Sequence, residues 1–90
     1  MTTAKRFNIA GRVQGVGYRY FAIRAAERCG VTGTVRNLPN GTVEAVAEGT
    51  SSAVDAFREE LERGPSGGRV ERVTEEPAPE SGFTSFRVLT

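Results

Sequence analysis

A short glycine-rich stretch near the N-terminus constrains the fold of this chain more than any other feature. Three glycines stand in the nine residues 11–19, between an alternating run at residues 6–10 and an amphipathic run at Tyr18–Cys29. Alternation with a period of two predicts a half-buried strand, and apolar residues spaced by three and four predict a helix. The stretch is therefore predicted to be a loop that leaves a strand and enters the N-terminus of a helix.

Such a loop is suited to binding an anion. Glycine adopts positive φ angles and lets the backbone approach a ligand, so that successive N–H groups point into one concavity. The first turn of a helix adds unpaired N–H groups and the positive end of the helix dipole. Arg19 adds a planar fork of donors that fits phosphate. The residues suit a phosphate-binding loop, and equally a glycine-rich turn followed by a surface arginine.

The loop matches neither of the common nucleotide-binding motifs. No Gly-Lys-Ser/Thr follows it, so it is not a Walker loop. Gly15 and Gly17 have the first spacing of the dinucleotide fingerprint, but Tyr20 occupies the position of the third glycine. Neither motif therefore identifies the anion.

Composition narrows the class of protein. Ninety residues, 38% of them hydrophobic and 26% charged, suit one domain over residues 1–90. A net charge of +1 gives no reason to expect nucleic acid or an anionic membrane as a partner. No apolar run approaches a membrane span, and residues 1–6 lack the apolar core of a signal peptide. We expect a cytoplasmic protein, and nothing in the sequence demands more than a monomer.

The chain contains no histidine and a single cysteine, Cys29. An internal disulfide and any Ser-His or Cys-His nucleophile are therefore excluded, and a zinc or other transition-metal site is not expected. We predict no metal and no cofactor. Cys29 ends the apolar row of the first helix and is expected to fill core space.

The predicted elements form the order β-α-β-β-α-β with a short fifth strand. After a frayed start we predict a strand at residues 6–10, a helix at Tyr18–Cys29, and strands at residues 34–37 and 42–48 joined by a turn. Residues 50–52 open a second helix, with Ser52 in a capping pattern, and Gly64 ends it. A strand with a bulge at residues 69–75, a loop at residues 75–82 and a strand around Phe86 and Val88 follow. This order is the split βαβ arrangement of a ferredoxin-like α+β sandwich. Two helices are expected to cover one face of an antiparallel sheet.

This topology places Asn37 beside the glycine-rich loop. The first and second strands run parallel with the third between them, so their C-terminal ends share one edge of the sheet. The loop leaves the first strand there, and Asn37 ends the second. The two are therefore expected to share a ligand. Considered alone, Asn37 is as well explained by ending its strand and satisfying the turn, and Arg19 by pairing with a glutamate or the C-terminus.

The sequence of the loop, Gly-Arg-Val-Gln-Gly-Val-Gly-Tyr-Arg, resembles the signature loop of the acylphosphatases. The resemblance continues at residues 30–37, 40–44, 48–49, 64–65 and 86–88, so that it covers nearly the whole chain. Tyr18 stands where phenylalanine is frequent, Asn40 replaces a frequent aspartate, and Gly68 stands where alanine is usual. None of these departures affects Arg19 or Asn37.

The resemblance implies an enzyme that hydrolyses acyl phosphates, which are mixed anhydrides of a carboxylic acid and phosphate. It implies that Arg19 binds the phosphate and that Asn37 positions the attacking water. It also implies that backbone amides hold the phosphoryl oxygens, namely those of Gln14, Gly15, Val16, Gly17, Tyr18 and Arg19. The implied substrate is a small molecule, and the composition leads us to expect a mechanism without metal.

The composition agrees with this reaction for an independent chemical reason. Phosphoryl transfer proceeds through a loose transition state, so catalysis is mainly positioning and electrostatic stabilisation. A carboxylate leaves unprotonated at neutral pH and needs no general acid, whereas a phosphate monoester leaves as an alkoxide and needs an acid or a metal. A chain without histidine therefore suits the first substrate and not the second.

Two other classes of function share this topology. A non-catalytic anion-binding or regulatory module would use the same loop, and only turnover distinguishes it from an enzyme. An RNA-binding domain would need aromatic residues on the central strands. The strand at residues 42–48 has none and carries Glu44 and Glu48, which disfavours RNA.

Overall fold

Five strands and two helices follow one another in the computed structural model, which describes residues 2–89. They are β1 (Thr2–Arg12), α1 (Tyr18–Cys29), β2 (Thr32–Asn37), β3 (Val43–Thr50), α2 (Ser51–Arg63), β4 (Arg69–Pro77) and β5 (Phe86–Val88). The strands form one sheet in the order β4-β1-β3-β2-β5. Both helices pack on one face of the sheet and contact each other. The predicted ferredoxin-like α+β fold is confirmed.

One strand differs from the predicted antiparallel sheet. β5 runs parallel to β2, with Gly33 opposite Phe86 and Val35 opposite Val88, whereas the other three ladders are antiparallel. After β4 the chain passes from one edge of the sheet to the other and reverses direction. The last strand therefore enters in the direction of β2.

The core lies between the helices and the sheet. Alternate side chains of the central strands are fully buried, as Phe7 and Ile9 show in β1. The buried helical residues recur at helical spacing and are Tyr18, Ala22, Ala25 and Ala26 in α1, and Val54, Phe57 and Leu61 in α2. Cys29 is partly buried and packs against this core, as expected. Burial and nearby Glu60 raise the pKa of its thiol, which disfavours the thiolate.

The ends of several elements differ from the predictions. β1 begins at Thr2 rather than at residue 6, because residues 2–5 pair with β3 although they lack large apolar side chains; Met1 lies outside the described residues. β4 continues to Pro77, so the predicted loop begins only at residue 78. The N-cap of α2 is Thr50 rather than Ser52, since the Thr50 hydroxyl accepts a hydrogen bond from the Ala53 N–H at 3.1 Å.

The predicted bulge in β4 is confirmed. Ala10 lies opposite Arg72 and Gly11 opposite Val70, so Glu71 is the extra residue on the β4 side. The structure thus explains the odd spacing of Val70 and Val73. Neither helix of the part that the structure describes has the length and apolarity that crossing a membrane requires.

Glu48 anchors the segment that connects β4 to β5. It is the charged side chain that is buried among residues 2–89, and its carboxylate accepts hydrogen bonds from the N–H groups of Ser81, Gly82 and Phe83. The bond from Gly82 measures 3.0 Å. Sequence patterns did not indicate this role, because the partners lie more than thirty residues away. The contact holds the segment near the end of the sheet from which β5 starts.

Replacing Glu48 with glutamine is expected to lower the free energy of unfolding by about 2 kcal/mol. The amide keeps one acceptor oxygen, and its NH₂ group faces backbone donors. Urea denaturation measures the change. Glu80→Gln, in the same segment but exposed, is the matched control and should change stability by less than about 0.5 kcal/mol. Equal effects of the two substitutions would contradict the anchoring role of Glu48.

Candidate active site

The glycine-rich loop has the conformation that its glycines allow. Gly15 and Gly17 have φ angles of 75° and 77°. A Cβ atom at either position would meet no atom within 4 Å, so glycine is required by the backbone angles and not by space. Gly17 is the N-cap of α1, and Phe21 donates the first helical bond to its carbonyl at 3.0 Å. The turn therefore ends and the helix starts at adjacent residues.

The N-terminus of α1 is suited to accept a negative charge. No side chain caps it, and its first turn contains no acidic residue. The first N–H groups of a helix have no intrahelical acceptor and carry the positive end of the dipole. An anion placed here meets N–H donors without a competing carboxylate from the helix itself.

Gln14 fixes the loop to the turn between β2 and β3. Its Nε2 donates to the carbonyl oxygens of Leu38 and Thr42, each at 2.9 Å. The turn is closed further by a 2.9 Å bond from the Leu38 N–H to the same Thr42 carbonyl. The Asn40 side chain accepts from the Thr42 N–H and hydroxyl, at 3.1 and 2.7 Å. One side chain thus links the glycine-rich loop to the segment that follows Asn37.

Tyr18 fastens the start of α1 to the end of α2. The ring is buried, and the phenol donates a 2.7 Å hydrogen bond to the Leu61 carbonyl. Burial raises the pKa of this phenol well above its usual range, which keeps the group neutral. A phenylalanine at this position would leave the buried Leu61 carbonyl without that donor. The hydroxyl therefore explains why tyrosine is compatible with a buried position.

Arg19 and Asn37 meet in one cavity of about 350 Å³ at the edge of the sheet where β1 and β2 end. The cavity is lined by Val13, Gly15, Gly17, Tyr18, Arg19, Tyr20, Ile23, Asn37 and Val88. The expected meeting of the loop and the end of β2 is therefore observed. Of the predicted set, Gln14 bonds to the turn through its side chain, and Val16 lines a neighbouring cavity; the prediction for both concerns their backbone N–H groups.

Arg19 and Asn37 make few polar contacts with the described part of the protein. Arg19 takes part in none of the ion pairs found among the described side chains. Asn37 Oδ1 is buried and has no hydrogen-bond partner within residues 2–89. The turn beside it is bonded through Gln14 and Asn40 instead. A buried acceptor of this kind costs about 1–3 kcal/mol unless a donor reaches it.

The structure adds residues that the sequence did not indicate. Tyr20, Ile23 and Val88 line the same cavity as Arg19. Tyr20 and Ile23 lie three apart on α1, outside the row of fully buried residues, which was an available signal. Val88 reaches the cavity only because β5 pairs with β2, and no local pattern reveals that pairing.

A family model for acylphosphatase matches residues 5–88. The chain belongs to the acylphosphatase family. A relative from Bordetella parapertussis named acylphosphatase is 53% identical over 68 residues, which are 76% of this chain and 72% of that protein. Another from Thermus thermophilus is 46% identical and covers 89% of this chain and 91% of its own. The resemblance of the loop and its neighbours therefore extends to whole proteins.

Solved structures of the family have the same fold. A crystal structure of acylphosphatase from Bacillus subtilis superposes with a TM-score of 0.94 at 32% identity and covers all of both chains. The predicted enzyme class is confirmed: the protein is an acylphosphatase, and its substrate is a small-molecule acyl phosphate.

Proposed function

We propose that Arg19 and the amides of the glycine-rich loop bind the phosphoryl group, and that Asn37 orients the attacking water. The buried Asn37 Oδ1 supports this proposal most directly, because it has no donor among residues 2–89 and belongs to a residue of the cavity that Arg19 lines. A water that donates to Oδ1 would satisfy this acceptor. The same bond would hold the water oxygen near a phosphorus atom bound at the loop.

The proposed phosphate contacts combine backbone and side-chain donors. The backbone N–H groups are those predicted from the sequence, at Gln14, Gly15, Val16, Gly17, Tyr18 and Arg19. The positive φ angles of the two glycines and the uncapped helix end support this set. For Gln14 the proposal concerns the N–H alone, because the side chain is bonded to the turn. The Arg19 guanidinium adds full charge and two parallel donors.

The reaction proposed at this site requires no general acid. The water oxygen forms a bond to phosphorus while the bond from phosphorus to the carboxyl oxygen breaks, and the carboxylate leaves with the electron pair. A proton of the water passes to a phosphoryl oxygen. The products are a carboxylate and inorganic phosphate. The protein supplies position and positive charge, which are the main needs of a loose transition state.

A metal-free mechanism stays a prediction. The described residues contain no cluster of three or more His, Cys, Asp or Glu side chains placed to hold a metal ion. We expect a chelator to leave the rate of benzoyl phosphate hydrolysis unchanged, and p-nitrophenyl phosphate to remain intact under the same conditions. An assay for released phosphate measures the hydrolysis of either compound. Strong inhibition by the chelator would contradict the metal-free mechanism.

The same assay tests the alternative of a non-catalytic anion-binding module. Rapid cleavage of the acyl phosphate alone would support the enzyme and the leaving-group explanation together. Binding of inorganic phosphate without turnover would instead indicate a module that binds phosphate and does not cleave it.

We further propose that residues 1–90 act as one monomeric domain in the cytoplasm, as the sequence suggested. The large hydrophobic side chains exposed among residues 2–89 are Tyr20 and Leu89, and they line different cavities. A dimer interface is usually richer in such side chains. Size-exclusion chromatography with light scattering tests the monomer.

A further inference from the structure

Five of the side chains that line the cavity of Arg19 and Asn37 are apolar or aromatic, and two of these, Val13 and Tyr18, are fully buried. The other three are Tyr20 and Ile23 on α1 and Val88 on β5, and all three keep some exposed surface. Among the described residues that line the cavity, Arg19 carries the only charge. The wall contributed by the three residues therefore offers hydrophobic contact and no ionic contact.

Tyr20 is the most distinctive member of this wall. Its side chain is 65% exposed, compared with 41% for Leu89, the other large hydrophobic side chain exposed in the described part of the chain. The guanidinium carbon of Arg24 lies 5.7 Å from the centre of the Tyr20 ring, close enough for a cation–π contact. This contact favours one orientation of a ring that is not packed in the core.

We propose that Tyr20, Ile23 and Val88 bind the acyl group of the substrate and favour larger apolar acyl groups over small ones. The inference rests on the proposed function, because a phosphoryl group bound at the loop fixes one end of the substrate. The acyl carbon is joined to that phosphorus through a single oxygen. An acyl group must therefore start within a few bond lengths of the loop, in the cavity that the three side chains line.

The size of the cavity supports this assignment. About 350 Å³ lies at the small end of the range for small-molecule sites and exceeds the needs of a phosphoryl group alone. The rest of the cavity is bordered by an aromatic ring and two aliphatic side chains. Contact of these side chains with hydrocarbon is favourable, whereas contact with a charged group is not. The wall thus distinguishes acyl groups by their apolar surface.

The test compares hexanoyl phosphate with acetyl phosphate. Their carboxylate leaving groups have nearly the same acidity, so a difference in kcat/KM reports contact with the added methylene groups and not leaving-group reactivity. For the wild-type protein we expect kcat/KM to be about tenfold higher for hexanoyl phosphate, the effect of burying roughly half of the added hydrocarbon. The preference should appear mainly in KM.

Tyr20→Ala should reduce this preference about fivefold, because most of the exposed apolar surface of the wall is removed. Tyr20→Phe keeps the ring and should retain the wild-type preference. Leu89→Ala is the matched control, because Leu89 is the other large hydrophobic side chain exposed among residues 2–89 and lies outside this cavity. It should leave both the preference and the rate unchanged.

The outcomes separate this inference from the proposed function. Turnover of both phosphates with equal kcat/KM, or a preference that survives in Tyr20→Ala, would overturn the acyl site alone. Failure of the wild-type protein to hydrolyse either phosphate would overturn the proposed function and this inference with it. Loss of the preference in Tyr20→Ala with retention in Tyr20→Phe would support the assignment.

Discussion

Replacement of Arg19 by alanine is expected to lower kcat/KM for benzoyl phosphate by about 10³-fold or more. The guanidinium is the single charged group among the described residues that line the cavity. Negative charge is spread over the equatorial oxygens of the transferring phosphoryl group, so loss of this cation removes stabilisation of the transition state. Inorganic phosphate carries a charge comparable to that of the phosphoryl group, so it should no longer compete with the substrate in Arg19→Ala. Steady-state kinetics with and without added phosphate measure both effects.

Two further variants separate the role of Arg19 from net charge. Arg19→Lys keeps the charge but lacks the planar pair of donors, so an intermediate loss is expected. Arg63→Ala removes an exposed arginine near the end of α2, far along the chain from the cavity lining, and should leave the kinetics unchanged. An Arg19→Ala protein with normal turnover and normal competition by phosphate would show that the loop amides suffice.

Replacement of Asn37 by alanine is expected to lower kcat about 10²-fold while inorganic phosphate still binds. The amide is proposed to orient water and not to contact the phosphoryl group. Loss of that bond leaves the nucleophile free to rotate, whereas the loop and Arg19 are unchanged. The inhibition constant of inorganic phosphate should therefore stay within about threefold of the wild-type value. This separation of turnover from binding distinguishes Asn37→Ala from Arg19→Ala.

Asn37→Ala should also leave the stability of the fold nearly unchanged. The wild-type Oδ1 has no partner among residues 2–89, so alanine removes no hydrogen bond within the described protein and only a small amount of packing. Denaturant unfolding measures the change. A residue that supports turnover and adds little to stability is typical of an active site. Normal turnover in Asn37→Ala would refute the water-positioning role.

The sequence revealed those parts of the fold that depend on local pattern. Alternating strands, the apolar faces of both helices and the bulge of β4 were all predicted from residue spacing. The errors fell where hydrogen bonding, rather than side-chain type, decides the structure. Residues 2–5 are a strand because β3 pairs with them, and Thr50 rather than Ser52 caps α2 because the helix starts two residues earlier. Consecutive hydroxyl residues give no basis for choosing between caps.

The site was predictable to the extent that topology brings its parts together. Parallel strands that end at one edge of the sheet were enough to place Asn37 beside the loop. The residues that support the site through long-range contacts were not predictable, because they are distant from it in sequence. Gln14 bonds to carbonyl groups 24 and 28 residues away, and Val88 joins the cavity through the pairing of β5 with β2. Long-range contacts of this kind leave no periodic pattern in the sequence.

The insertion of β3 between β1 and β2 has a consequence for how the enzyme becomes active as it folds. The loop follows β1 and Asn37 ends β2, yet these two strands do not pair with each other. Both are positioned by β3, and β1 is paired in turn with β4, where Lys5 lies opposite Pro77. Because β1 and β4 are far apart in the chain, their pairing closes a long loop. Loop closure slows folding, since chain entropy is lost before the contacts form. We therefore expect the active site to form late in folding, once β3 has paired with both β1 and β2 and β5 has joined the sheet.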